Sequence, residues 1–382
     1  MPVTPESPVV LQVLPSLVTG GVERGTIEIA QAIAESDGVA LVASEGGALV
    51  STLERAGGRH VTLPLNTKNP LAIWRNAARL EAVIKAEGVT LVHARSRAPA
   101  WSAWLACQRT GTPFVTTYHG TYNENFPLKR QYNAVMARGK IVIAASRFIA
   151  GLVHARHGVP MDRIRVIPRG VDPAIFDPAA VVVDRLVRLA AKWRLPDGAP
   201  TITLPGRLTA WKGHSVLLDA IARLERKDVC CVLVGSDQGR SAYTSRLMKE
   251  AMALGIGDRV RLVGQCDDMP AAMLLSDVVV HASTQAEAFG RVVIEAQAMA
   301  RPVIAADLGG PVETVVHGVT GWRVTPGDPE ALAAALEVAL AMTIEQRHAM
   351  GARARASVPT VRGMQEATLD VYEAVLGAQP ST

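Results

Sequence analysis

The chain has 382 residues, 49% hydrophobic and 20% charged, with a net charge of +5. That is enough for two ordinary globular domains with sizeable cores, and it excludes disordered and fibrous classes. The positive balance suits phosphate, acidic lipid or nucleic acid, but only 4% of residues are aromatic and no basic-aromatic interleaving supports nucleic-acid binding.

No apolar run reaches the roughly 18 uncharged residues of a membrane span. Met1 to Glu6 has no basic segment followed by an apolar one, so no secretory signal is expected. Cys107, Cys230, Cys231 and Cys266 lack metal-ligand spacing and read as reduced thiols, which fits a cytoplasmic protein.

In chain order, Val9 to Leu14 reads as a first strand, Gly20 and Gly21 as a turn, and 22–34 as a helix. Backbone N–H groups at such a turn can meet phosphate, although a tight turn alone also needs the glycines. Strands follow at 40–43, 90–94, 114–118 and 141–145, with helices at 71–86, 98–108 and from Ser146. The alternation predicts a parallel sheet with helices on both faces. Between Arg169 and Pro200 it breaks, leaving one helical segment at 182–193 and a linker-like composition. It resumes with strands at 201–204, 229–234, 260–263, 278–282, 303–306 and 321–324, and the chain ends on a helical segment from Thr360. The expected organisation is a first domain over 1–175, a second over 176–358, and a C-terminal helix over 359–382 packing back toward the first. The fold class is α/β, with two doubly wound Rossmann-like domains facing a cleft.

The centre of the chain is Glu287-Ala288-Phe289-Gly290-Arg291-Val292-Val293-Ile294-Glu295. A Val-rich strand precedes it and a helix containing Glu295 follows. Glu287 therefore falls in the loop at a strand's carboxyl end, where open α/β sheets bind ligands and a helix N-terminus favours an anion. Either glutamate alone reads as a solvated side chain of an ordinary βα unit; the Glu-x7-Glu pattern enclosing Phe-Gly does not. Arg207 and Lys212 follow another strand directly, and two cations so placed can neutralise a diphosphate.

Gly-Gly-Val-Glu near the start, Tyr-His-Gly after a strand, Gly-Arg-x4-Lys-Gly, Val-Gly-Gln-x-Asp-Asp and Glu-Ala-Phe-Gly-x4-Glu occur in this order. Together they resemble the retaining GT-B glycosyltransferases of family 4, over nearly the whole chain. The resemblance implies that Glu295 binds the donor ribose and that Arg207 and Lys212 bind its diphosphate. It places Glu287 at the transferred sugar, with the backbone of Ala288, Phe289, Gly290 and Arg291 around sugar and phosphate. Gly20 and Gly21 would approach the phosphate, His119 the sugar and acceptor, and the segment at Cys266 the base. Arg169 stands where many relatives have Asn.

The chemistry this implies is transfer of a hexose with retention, the leaving diphosphate being stabilised by fixed cations and helix N-termini. The sequence holds no Asp-x-Asp, so neither a metal nor any other cofactor is expected besides the nucleotide sugar. A dehydrogenase would want Gly-x-Gly-x-x-Gly after the first strand, and it is absent. A GT-B-like sugar-nucleotide epimerase, a transferase using a UDP-sugar on another polysaccharide, and a non-catalytic nucleotide-binding scaffold are the alternatives. The segment around His93, with Arg95 and Arg97, resembles enzymes of the lipopolysaccharide core, which points to an anionic glycolipid or saccharide acceptor and to GDP-mannose as donor. Arg95, Arg97 and Arg147 are the acceptor-side candidates. Leu128, Tyr132, Val135 and Met136 fall at i, i+4, i+7 and i+8 beside several cations, a spacing that suits peripheral contact with an anionic membrane and equally a buried helix face.

Overall fold

A computed structural model describes residues 7–18, 20–124, 126–239 and 241–377. The chain forms two compact units: one runs to Pro168 and resumes at Val361, and the other is Arg169–Thr360.

The first unit carries β1 (Val9–Val13), α1 (Gly21–Glu35), β2 (Val39–Ser44), α2 (Val50–Arg55), β3 (Arg59–Thr62), α3 (Pro70–Ala86), β4 (Leu91–Ala94) and α4 (Arg97–Thr110). It continues with β5 (Phe114–Tyr118), α5 (Pro127–Asn133), β6 (Val142–Ala144), α6 (Arg147–His157) and β7 (Ile164–Val166). All seven strands are parallel, in the order β3-β2-β1-β4-β5-β6-β7. The central strands are mostly apolar and buried on both faces, as a sheet covered by helices requires.

The second unit opens with α7 (Val183–Trp193), β8 (Thr201–Pro205), α8 (His214–Arg223), β9 (Cys230–Val234), α9 (Ser241–Ala253), β10 (Val260–Gly264) and α10 (Met269–Leu274). Then come β11 (Val278–His281), α11 (Arg291–Ala298), β12 (Val303–Ala306), β13 (Trp322–Val324), α12 (Pro329–Ala341) and α13 (Ile344–Ala356). Its parallel sheet runs β10-β9-β8-β11-β12-β13. The strand order therefore reverses between β8 and β11, as it does between β1 and β4 in the first unit, and ligands bind such sheets beyond the carboxyl ends at that point.

The last helix, α14 (Val361–Gly377), packs on the first unit. Met364, Val371, Tyr372 and Val375 join Leu14, Ile29 and Ile33 in its core. Tyr372 Oη lies 2.6 Å from Nδ1 of the buried His93, whose Nε2 is 2.7 Å from Thr117 Oγ1.

The spacing of Leu128, Tyr132, Val135 and Met136 does not become one helical face. α5 ends at Asn133 and a 3₁₀ turn follows over Ala134–Ala137. Val135 and Met136 are fully buried while Leu128 is 66% exposed. The tighter turn changes the angular step, so the second pair points inward. No helix among the described residues is long and apolar enough to cross a membrane.

Candidate active site

The loop after β8 and the loop after β11 meet at the strand-order reversal of the second unit. The first is short. Gly206 turns away from β8, a 3₁₀ turn spans Ala210–Lys212, and Gly213 leads into α8. Gly213 is obligatory: its φ is 76°, and a Cβ there would sit 1.9 Å from the Ala282 carbonyl oxygen. This close approach, with the Thr284 N–H donating to the Trp211 carbonyl at 2.8 Å, fastens the two loops together.

Lys212 is thereby carried onto Glu287. Its Nζ lies 2.6 Å from Glu287 Oε1, the two side chains being 10% and 15% exposed. His281, the last residue of β11, donates from Nε2 to the same oxygen at 2.7 Å, and the Ser283 hydroxyl donates to it as well. Oε1 takes three donors while Oε2 has none among the described residues. Burial works to raise the pKa of this carboxyl, but the hydrogen bonds and charge from His281 and Lys212 outweigh it and hold Glu287 well below the usual carboxylate range. The Lys212 ammonium keeps further N–H donors beyond the one it spends on Glu287.

The backbone at Glu287 is fixed from the other side. Glu287 bridges Gly309 in parallel, and the Gly310 N–H donates to the Glu287 carbonyl at 2.8 Å. A Cβ on Gly310 would stand 2.2 Å from the Ala288 carbonyl oxygen. Next along the chain, Phe289 is buried and Gly290 caps α11, whose first N–H groups lack intrahelical acceptors. Glu295 lies within α11 and pairs with Arg291 at 3.6 Å. Arg207 is exposed, and no hydrogen bond or ion pair among the described residues holds its guanidinium. Cys266 is half-buried in the loop after β10, and burial pushes its thiol pKa up. Two residues on, Asp268 caps α10 and holds Arg185 of α7 through both oxygens, at 2.6 and 2.9 Å.

His281 and Ser283 were not singled out by sequence, although both stand at the end of the strand leading to Glu287. A histidine closing an apolar run reads as core; its placement one residue short of a ligand-side loop was the available signal.

In the first unit, the carboxyl edge holds the other candidates. Gly20 caps α1 with φ 139°, and a Cβ there would meet the Glu23 carboxylate at 2.4 Å. Glu23 therefore folds over the start of α1, where an acidic group is favoured by the helix dipole. His119 follows β5 and is half-buried. Arg97 begins α4; it donates to Asn133 Oδ1 at 2.8 Å and stacks 4.1 Å over the Tyr122 ring. Arg147 begins α6 and is exposed. Arg95 is not a surface residue: it is 3% exposed, burial pushes its pKa down, and Tyr372 and Glu28 face it electrostatically. No cluster of metal-ligating side chains occurs among the described residues.

The family model described as Glycosyltransferase Family 4 matches residues 19–175, and that described as Glycosyl transferases group 1 matches residues 188–357. A D-inositol 3-phosphate glycosyltransferase of Jonesia denitrificans is 31% identical over 322 residues, 77% of this chain and 74% of the relative. A glycosyltransferase from Rickettsia africae superposes with a TM-score of 0.91 at 36% identity, over 98% of this chain and 100% of that one. Anabaena Alr3699/HepE, solved in complex with UDP and glucose, superposes with a TM-score of 0.84 at 25% identity, over 96% of this chain and 99% of that one. Two doubly wound parallel sheets, a motif loop at each unit's strand-order reversal, and these matches together assign the chain: it is a hexosyltransferase of the GT-B fold and belongs to the group 1, family 4 glycosyltransferases.

Proposed function

We propose that the enzyme moves a hexose from a nucleotide-diphosphate sugar to an anionic saccharide of the cell envelope, with retention and without a metal ion. The observation that carries this is the split use of the Glu287 carboxylate. With Oε1 saturated, Oε2 remains to accept hydroxyl hydrogens of the transferred sugar. Beside it, the remaining Lys212 donors, the unheld Arg207 guanidinium and the start of α11 can meet a diphosphate as negative charge builds on it. Glu295 is the ribose candidate on the same helix, once it exchanges its contact with Arg291.

Among donors the reading favours a UDP-hexose over GDP-mannose, because the Anabaena protein is solved with UDP and glucose. The lipopolysaccharide core is one acceptor class that this reading covers; the inositol 3-phosphate named for the Jonesia relative shares its anionic, hydroxyl-rich character. The reading places the reaction in the cytoplasm. Cys266 backbone, Gly20, Gly21 and His119 keep the roles the family pattern gives them.

A panel of UDP- and GDP-hexoses scored by product mass, with the anomeric configuration of the product read by NMR, tests the proposal. An α product from an α donor in the presence of EDTA supports it. A β product, or activity lost to EDTA and restored by Mg²⁺, overturns the corresponding half. Conversion of the donor alone to another sugar nucleotide would favour the epimerase.

A further inference from the structure

The first unit has a cavity of 640 Å³ at the carboxyl edge of its sheet, lined by Pro15 after β1, Asn66 and Lys68 after β3, and Arg97 at the start of α4. Phe126, Leu128 and Lys129 close it from the segment after β5. It lies on the edge that also carries Gly20 and His119, so it is the acceptor-side cavity of the function proposed above and its identification rests on that reading.

Its lining is one-signed. Lys68, Arg97 and Lys129 contribute three cations, and no lining side chain among the described residues is acidic. Glu124 lies outside the lining: it pairs with Arg156 and His157, at 3.9 and 3.7 Å, and accepts a hydrogen bond from Asn133 Nδ2 at 3.3 Å. Arg97 is preorganised by Asn133 and Tyr122, so little rotamer freedom remains to be lost when it meets an anion. Lys68 and Lys129 make no ion pair among the described residues, and Lys129 Nζ rests 5.9 Å from the Phe126 ring centroid. Three uncompensated cations around one cavity favour a phosphate or carboxylate.

The apolar side chains are the second observation. Phe126 and Leu128 are 49% and 66% exposed at the same cavity, although nothing in the first unit's core requires them there. A free sugar phosphate would gain nothing from them. A ligand whose charged head sits among the cations and whose apolar arm crosses Phe126 and Leu128 uses both halves.

We infer that this cavity takes an anionic amphiphile: an acceptor in which a phosphate- or carboxylate-bearing saccharide is joined to an apolar chain. The test measures binding to the full-length protein of dihexanoyl phosphatidic acid below its micelle concentration, glycerol 3-phosphate and dihexanoyl phosphatidylcholine, with UDP binding followed in parallel. The phosphatidic acid should bind roughly ten-fold more tightly than either comparator. Lys68→Ala/Lys129→Ala should weaken both anions roughly ten-fold. Phe126→Ser/Leu128→Ser should weaken only the chain-bearing one, and UDP binding should be unchanged in every variant. The four side chains are surface residues, and an unaltered thermal midpoint confirms that the variants fold. Equal affinity for phosphatidic acid and glycerol 3-phosphate, insensitive to Phe126 and Leu128, would overturn the amphiphile in favour of a free anion. Normal UDP binding with no uptake of either anion would overturn the cavity assignment while leaving the donor reading intact. Wild-type protein that fails to bind UDP would count against the proposed function instead.

Discussion

Replacing Lys212 by Met keeps most of the side-chain volume and removes the ammonium from Glu287 Oε1, 2.6 Å away. Both groups are nearly inaccessible, so solvent screening relieves little of the loss. A hydrogen bond between charged groups contributes about 1.5–3 kcal/mol, and stranding one member of a buried pair costs about 3–5 kcal/mol. His281 and Ser283 still serve the carboxylate in the variant, which brings the expected destabilisation below the cost of a fully stranded charge, to about 2–3 kcal/mol. The assay is urea unfolding of wild type, Lys212→Met, Glu287→Gln and the double variant, with the coupling taken from the cycle. A coupling of about 2 kcal/mol is expected, and one below about 0.5 kcal/mol would refute the reasoning. The pH dependence supplies a second check. Glu287 is held below its ordinary 4.5, so its contribution is present above that pH and is lost as the pH falls below it. The gap between wild type and Lys212→Met should therefore be widest above pH 4.5 and narrow in acid. Turnover should fall with the same substitution if, as proposed, Lys212 offers its remaining N–H donors to the leaving group as well as fixing Glu287.

Burial, aided by the charge of Lys212, pushes His214 down to about 4 from an ordinary 6.5. Its neutral form therefore stabilises the fold fully above pH 6.5, and that contribution fades as pH falls toward 4; between pH 7 and 5 the unfolding free energy should drop by about 2 kcal/mol more in wild type than in His214→Gln. Gly310→Ala brings a methyl against immovable backbone at Ala288, and should lower stability by about 1–3 kcal/mol or more and weaken UDP binding measured by calorimetry. Gly151→Ala, in the middle of α6 with open space around it, should instead raise the thermal midpoint, by an equivalent of up to about 1 kcal/mol.

Most strands were legible because a sheet buried on both faces demands near-continuous apolar runs, and Cys230–Val234 and Val303–Ala306 display them plainly. β3 and β7 were not, because they are the outer strands of the first sheet and carry exposed residues such as Arg59 and Arg165, which blur the pattern. The Glu287 loop and the Lys212 turn could be placed from motif spacing, yet their direct bond could not: it depends on the strand order that sets β8 beside β11. Arg95 was misplaced for a related reason. An arginine just past a strand reads as a surface cation, whereas this one is buried, with Tyr372 of the returning α14 and Glu28 of α1 facing it. The stripe from Leu128 to Met136 assumed one continuous helix, whereas the change to a 3₁₀ turn after Asn133 divides it.

The return of α14 also orders events during synthesis. Most of the first unit is made before the second, but the side chains that complete its core, Met364, Val371, Tyr372 and Val375, emerge only after the whole of Arg169–Thr360. The second unit can close as soon as its own last segment is out, while the face of α1 that α14 covers stays wet until α14 itself has been made. The domain made first is thus the one finished last. A chain stalled between Arg169 and Val361 leaves core residues such as Ile29 and Ile33 without the cover of α14, and exposed apolar surface of that kind is prone to aggregation.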